Sequence, residues 1–425
     1  MSKEDNGFKR IFLCSLSSVL GGVELRMGME ARVLRQHGYL PTVGVNLHPQ
    51  LYGWAQELKT DGIPLIDFDP PPILEQWQWW TKTFLSRIPL AARVQYTLWR
   101  IARAWNKQAA KVQSAHIFSK IHPDLVHIFL PWTDFGGTRL WLAHHHRLPV
   151  VLSVRNSFRP TSINGWRAVH YRQAFRSVMG IYSISQGAMD HFLNIYGEFI
   201  FPGTVMPVIH NSVDTERFRP DPRRRVQMRR SLGIPENAPV MGVAARLEIQ
   251  KQPDALLTIF SELKEMFPSL FLVLVGSGSM ESALKAQAER LGVSATVVFT
   301  GWQRNIEHLL PGFDLAVQIS RREGFGTSTI EAMACGLPVV GTNIAGTRDI
   351  LSGGKGGVLV PLGDNTAFKD ACATILADEN LRSRLGREAR EEAVAKYSQS
   401  GWNEKIMNFY ENAEARARQS GYGSN

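Results

Sequence analysis

Apolar runs of three to six residues, separated by stretches with helical spacing, recur along the whole chain. In the first half they are Ile11–Leu16, Thr42–Asn46, Ile63–Phe68, Leu125–Phe129, Val150–Val154 and Ile181–Ser183. In the second half they are Val240–Ala244, Phe271–Val275, Thr296–Phe299, Leu315–Ile319, Val339–Thr342 and Gly357–Val360. Strands that alternate with helices indicate an α/β fold with parallel sheets. Such sheets bind ligands at the carboxyl ends of their strands, so the loops after these runs are where function is sought. A chain of 425 residues exceeds one ordinary core, and two domains are expected. Pro202, Gly203, Pro207 and Pro220 punctuate the boundary. The reading is one domain over residues 1–205, a second over 206–398, and a final helix over 399–420 with Trp402, Ile406, Phe409 and Tyr410 at helical spacing.

Hydrophobic residues make up 44% and charged residues 20%, which describes a globular chain and not a disordered one. Cys14, Cys335 and Cys372 are scattered and odd in number, so they form neither a disulfide framework nor a metal spacing. That suits a reducing, cytoplasmic setting. No uninterrupted apolar run reaches the length of a membrane span. Lys3, Lys9 and Arg10 ahead of Ile11–Leu16 faintly resemble a signal peptide, but Glu4-Asp5 and the lack of a cleavage site favour a buried first strand.

The net charge of +10 is concentrated. Residues 73–120 carry eight bases, Lys82, Arg87, Arg93, Arg100, Arg103, Lys107, Lys111 and Lys120, against Glu75 alone. The same segment holds Trp77, Trp79, Trp80, Trp99 and Trp105, five of the eleven tryptophans. Bases interleaved with Trp suit anionic lipid headgroups. A solvated helical face over a local tryptophan core is the alternative. Nucleic acid would attract the same charges, but no nucleic-acid-binding motif accompanies them, and none is expected as a partner.

The densest motif runs from Glu323 through Gly324, Phe325, Gly326 and Thr327 to Glu331, and Ala332-Met333-Ala334-Cys335 continue it as helix toward Gly336 and Pro338. A helix starting near Thr327 offers unpartnered N–H groups and a positive dipole end, which suit a phosphate. Glu331 then lies one turn in and Glu323 just outside, so a carboxylate stands at each side to accept hydroxyls of ribose or sugar. The residues alone specify a phosphate-and-polyol site.

This Glu-x7-Glu pair around Gly-Phe-Gly, followed by Glu-Ala-Met-Ala-Cys-Gly-Leu-Pro-Val-Val, resembles the donor site of retaining GT-B glycosyltransferases of the glycogen-synthase-like family four. The resemblance implies two Rossmann-like domains with parallel sheets facing across a cleft. The first would bind acceptor and the second donor, with the final helix crossing back to the first. It implies transfer of a sugar from a UDP- or GDP-linked donor to a glycan or lipid-linked acceptor, with no cofactor, on or near the inner face of the cytoplasmic membrane. Cleft closure would bring Arg246 and Lys251 to a donor facing Gly21-Gly22.

Further residues enter on the same terms. Arg246 and Lys251 follow the run Val240–Ala244 and could stabilise charge on a leaving diphosphate. These cations could do the work of a metal at the diphosphate, so no metal is expected. The pair matches the family's Arg-x4-Lys, although Gln252 stands where a glycine is usual. Glu323 would bond donor-sugar hydroxyls and Glu331 the ribose. Gly21-Gly22, then Val23-Glu24, resembles the family's first loop and is a candidate acceptor or phosphate loop. Val275-Gly276-Ser277-Gly278 fails the dinucleotide fingerprint because Glu281 occupies the third glycine position. Gly276 matches the family's strand-end loop, and Trp302 the loop beside the nucleobase. Where many relatives have a histidine aimed at the reaction centre, this chain has Arg155-Asn156: a variant active site or only a strand-end turn.

Histidines 144–146 point in different directions on a helix, which disfavours metal chelation. His127 reads as a satisfied buried histidine, and the cluster Arg223-Arg224-Arg225 with Arg229-Arg230 as a solvated face. A same-fold epimerase acting on free sugar nucleotide, and a silent sugar-nucleotide-binding scaffold, remain as other readings.

Overall fold

The structure, a computed structural model, describes residues 8–16, 20–74, 92–131, 136–156 and 163–422, with side chains omitted over 92–100. The described chain divides into two compact units. One comprises residues up to Ile184, Ala188–Ile209 and the stretch from Asn403 onward; the other comprises Ser185–Gly187 and His210–Trp402.

Each unit is built on a six-stranded parallel sheet. In the first, β1 (Arg10–Ser15), β2 (Leu40–Val45), β3 (Leu65–Asp67), β4 (Leu125–Leu130), β5 (Val150–Val154) and β6 (Val178–Ser183) lie in the order β3-β2-β1-β4-β5-β6. In the second, β7 (Val240–Ala244), β8 (Phe271–Val275), β9 (Val297–Gly301), β10 (Leu315–Gln318), β11 (Val339–Thr342) and β12 (Gly357–Val360) lie in the order β12-β11-β10-β7-β8-β9. Counted from the first strand of each unit, the two orders are the same doubly wound 3-2-1-4-5-6 arrangement. Every apolar run of the sequence became a strand, with ends shifted by a few residues. Near-continuous Val, Leu and Ile are what a strand covered on both faces requires, and β4, β5, β6 and β10 are buried at every position.

The first unit also holds the end of the final helix, Gln399–Gln419. Tyr410 donates to the fully buried Glu30 carboxylate at 2.8 Å, and Tyr182 donates to its other oxygen at 2.7 Å. His127 Nδ1 lies 3.1 Å and Arg155 Nη2 3.3 Å from the same carboxylate. His127 is thus a buried histidine in a hydrogen-bonded network. The neighbouring histidines have separate partners: His144 meets Ser177, His146 meets Ser114, and His145 stacks on Trp141.

One expectation is corrected here. The helix Pro222–Ser231 is a solvated basic face only in part: Arg223 and Arg230 are exposed, but Arg229 is 1% exposed. Arg225 and Arg229 both grip Asp314, at 2.7 and 2.8 Å, and Arg229 also donates to the carbonyls of Gly312, Glu236 and Ala238. A carboxylate ahead of β10, far away in sequence, converts the cluster into a staple.

Candidate active site

In a doubly wound sheet the strand order reverses beside the first strand, and loops leaving the two strands at that point diverge to open a crevice. In the second unit these strands are β7 and β10. The loop after β7 carries Arg246 and Lys251; the loop after β10 carries Glu323–Gly326. The Lys251 ammonium donates to Glu323 Oε2, so residues 72 positions apart meet where the topology locates a ligand site. Arg246, on the same β7 loop as Lys251, is exposed.

Glycines permit this convergence. A Cβ on Gly276 would stand 2.0 Å from the Ala245 carbonyl oxygen, and one on Gly278 2.3 Å from that of Leu247. The loop after β8 therefore lies directly on the backbone that presents Arg246. Leu247 and Ser277 are joined at 3.0 Å, and the backbone N–H of Ser279 donates to Glu248 at 3.0 Å. That bond and the Ser279 hydroxyl hold the Glu248 carboxyl below its ordinary range. Gly276 also pairs with Gly301, so Trp302, 71% exposed, stands at the adjacent strand end.

The helix after β10 starts at Thr327, with Gly326 before it at φ 95°, a left-handed conformation that favours glycine. Asn211 donates to the Thr327 hydroxyl at 3.1 Å. The Phe325 ring is buried and stacks on His210 at 5.1 Å, so it anchors the loop while the backbone of Gly324–Gly326 lines it. Glu331 lies one turn into the helix, close enough for its charge to act on Arg217, whose guanidinium is pushed up chiefly by its bond to Glu307.

Two residues here have no counterpart in the motif reading. Gly346 lets its helix touch the loop, since a Cβ there would lie 2.7 Å from the Phe325 backbone and 2.9 Å from the Glu323 carbonyl oxygen. Gln318, buried at the end of β10, donates to Glu323 Oε2 at 2.8 Å and to Ser320 Oγ at 3.0 Å. Its sequence signal is an amide inside an otherwise apolar strand.

In the first unit, Gly21 precedes the helix Gly22–Gln36, and its N–H is taken by the Glu24 carboxylate at 3.0 Å. Arg155 is 6% exposed, and its guanidinium is engaged with Glu30 and Tyr182. It braces the end of β5, leaving Asn156 half-buried after it. In the helix Ala92–Ile121, Arg103 stacks on Trp166 at 3.3 Å and Lys107 on Trp141 at 4.9 Å. Residues 75–91, with Trp77, Trp79, Trp80, Lys82 and Arg87, lie outside the described residues, as do the side chains of Arg93, Trp99 and Arg100. Among the described residues, no helix is long and apolar enough to cross a membrane.

Two doubly wound units, the second with Lys251 and Glu323 meeting at the switch point, define the GT-B architecture. Anabaena HepE, solved in complex with UDP, shares it at a TM-score of 0.73 and 20% identity over 94% of this chain and 98% of that one. Residues 225–392 match the family model Glycosyl transferases group 1. EpsD of Bacillus subtilis (strain 168), named as a glycosyltransferase, is 35% identical over 211 residues, which are 49% of this chain and 55% of that protein. The N-acetyl-alpha-D-glucosaminyl L-malate synthase of Bacillus anthracis is 28% identical over 53% of this chain and 57% of its own length. The chain thus spans little more than half the length of these relatives.

Proposed function

We propose that the protein is a retaining glycosyltransferase that moves a sugar from a UDP- or GDP-linked donor to a lipid-linked glycan acceptor without a metal ion. The observation that carries this reading is the meeting of Lys251 and Glu323 at the β7/β10 switch point. Arg246, Lys251 and the helix start at Thr327 supply fixed positive charge for the departing diphosphate, which is electrostatic catalysis of leaving-group expulsion. Glu323 accepts donor-sugar hydroxyls, and Glu331 those of the ribose. Trp302 offers an exposed ring for the base. HepE has been solved with UDP and with UDP-glucose, which supports a nucleotide-sugar donor for this site as well.

The start at Gly21-Gly22 already carries the Glu24 carboxylate. A second anion there is disfavoured, so this loop suits acceptor hydroxyls better than a phosphate. The acceptor's lipid link is supported by the helix Ala92–Ile121, which has no acidic residue. Ile101, Trp105 and Val112 share one stripe at helical spacing and are 53%, 76% and 61% exposed, while Ala110 and Phe118 on the other side are buried. A stripe of exposed apolar groups on a helix without acidic residues fits the inner face of an anionic membrane.

A hydrogen bond to a charged group is worth about 1.5–3 kcal/mol. Glu323→Ala and Lys251→Ala are therefore expected to lower turnover on the order of tenfold to a hundredfold or more, with wild-type transfer persisting in EDTA and the product keeping the donor's anomeric configuration by NMR. Full activity in both variants would contradict the site, and loss of activity in EDTA would contradict metal independence. Trp105→Ser should weaken co-sedimentation with phosphatidylglycerol vesicles at low salt, and wild type that leaves such vesicles in solution removes the membrane claim.

A further inference from the structure

We infer that Gln318 is the positioning residue of the donor-sugar site: it fixes which oxygen of Glu323 faces the sugar. The inference rests on the donor-site reading above.

Gln318 is 3% exposed at the carboxyl end of β10, in a strand whose other residues are Leu315, Ala316 and Val317. A primary amide inside a parallel sheet is costly unless each of its N–H groups finds a partner. Here one N–H reaches Ser320 Oγ at 3.0 Å and the other Glu323 Oε2 at 2.8 Å. A carboxylate can only accept, so the contact with Glu323 settles the amide's orientation. The strand end is itself pinned, because the Thr342 hydroxyl donates to the carbonyls of Ser320 at 2.8 Å and Gln318 at 3.3 Å.

Lys251 donates to the same Oε2. The two donors differ in kind. Lys251 hangs on a flexible four-carbon stem from the β7 loop and has a second task, the diphosphate, which draws it away once donor is bound. Gln318 sits on the sheet, on a rotamer fixed by burial and by Ser320. When the lysine turns toward phosphate, the amide is the contact that keeps Oε2 on the protein and leaves Oε1 to accept from the sugar. A carboxylate held by one rigid donor presents its other oxygen in a single direction, and hydroxyl epimers of the sugar are told apart by that direction.

The test uses Gln318→Met, which keeps length and volume without an N–H, and Thr342→Val, which loosens the same strand end without touching Glu323. Affinities for bare UDP and GDP, and for UDP-glucose, UDP-galactose and GDP-mannose, are measured by calorimetry on the full chain. A methionine differs from the native glutamine chiefly in lacking the donor, so the nucleotides alone should bind Gln318→Met as they bind wild type. The gain in affinity that the sugar adds to its nucleotide should fall about tenfold, and the preference between the two UDP-sugar epimers should shrink with it. Thr342→Val should keep both quantities while unfolding at lower temperature. A sugar increment that is unchanged in Gln318→Met, or reduced equally in Thr342→Val, overturns the inference and leaves the donor site standing. Wild type that binds none of the five ligands overturns the donor site itself.

Discussion

Gln252 holds φ 49° between Lys251 and the helix that starts at Pro253, the left-handed region where a side chain is strained and glycine is not. The resemblance placed a glycine here, so the backbone shape is kept while the residue that would adopt it freely is not. Gln252→Gly should therefore retain transfer and raise stability by up to about 1 kcal/mol, the strain relieved exceeding the entropy that glycine adds to the unfolded chain. A lower unfolding temperature for this variant would show that the side chain makes up for the strain. At this scale sequence is legible where a residue's duty is local. Gly326 before a helix start, or Glu323 beside a glycine turn, can be read from immediate neighbours. Gln318, Arg155 and Arg229 could not be read that way, because their meaning lies in Glu323, Glu30 and Asp314. A buried polar group is defined by its partner, and the latter two partners are 125 and 85 positions away.

At the scale of elements, all the strands and the helix start at Thr327 were legible, since hydrophobic period and glycine punctuation are properties of a short window. Which elements carry buried charge was not. The clearest case is the joint among the first helix, β4, β6 and the final helix around Glu30. Burial lowers the His127 imidazole below its ordinary 6.5. Desolvation is the largest influence on Glu30 and pushes its carboxyl up, yet His127, Arg155 and Tyr182 together hold it below its ordinary 4.5. Both shifts act in one direction. Below pH 6.5 the unfolded chain takes up a proton on His127 that the folded chain refuses, and below 4.5 the stabilisation of ionised Glu30 is lost as pH falls toward its folded value. The contribution of these two groups to the unfolding temperature should thus be flat above neutrality and decline steadily on acidification. His127→Gln should flatten the part of the decline between those two values. It will not remove it, because His144, His145 and His146 are lowered as well. A profile identical to wild type would mean that the folded chain protonates His127 as readily as the unfolded chain does.

At the scale of the whole molecule, the same doubly wound order is used twice, but the two units differ in how they are completed. The second is made from one continuous stretch, His210–Trp402, apart from Ser185–Gly187; the first needs the chain to return at Asn403. The returning helix is part of the first core. Phe409 packs its ring 5.1 Å from Tyr182, and against Gly180 so closely that a Cβ there would lie 2.7 Å from it. Tyr410 supplies one of the hydrogen bonds to buried Glu30, Ala413 and Ala417 are fully buried, and Arg416 donates to the Pro202 carbonyl at 2.7 Å. Exposing two aromatic side chains costs about 1.5–3 kcal/mol each, and a buried carboxylate short of a donor costs about 1–3 kcal/mol more. Together these approach the roughly 5–15 kcal/mol that holds an ordinary domain folded. Residues 1–209 expressed alone should accordingly be insoluble or unfold without cooperativity, and fusion of 399–425 through a flexible linker should restore a cooperative transition. Tyr410→Phe in that fusion separates the terms, since it keeps the packing and deletes only the bond to Glu30, and it should unfold cooperatively but at a lower temperature than the unmutated fusion. A soluble 1–209 that melts cooperatively at the temperature of the fusion would show that the returning helix rests on a core already complete.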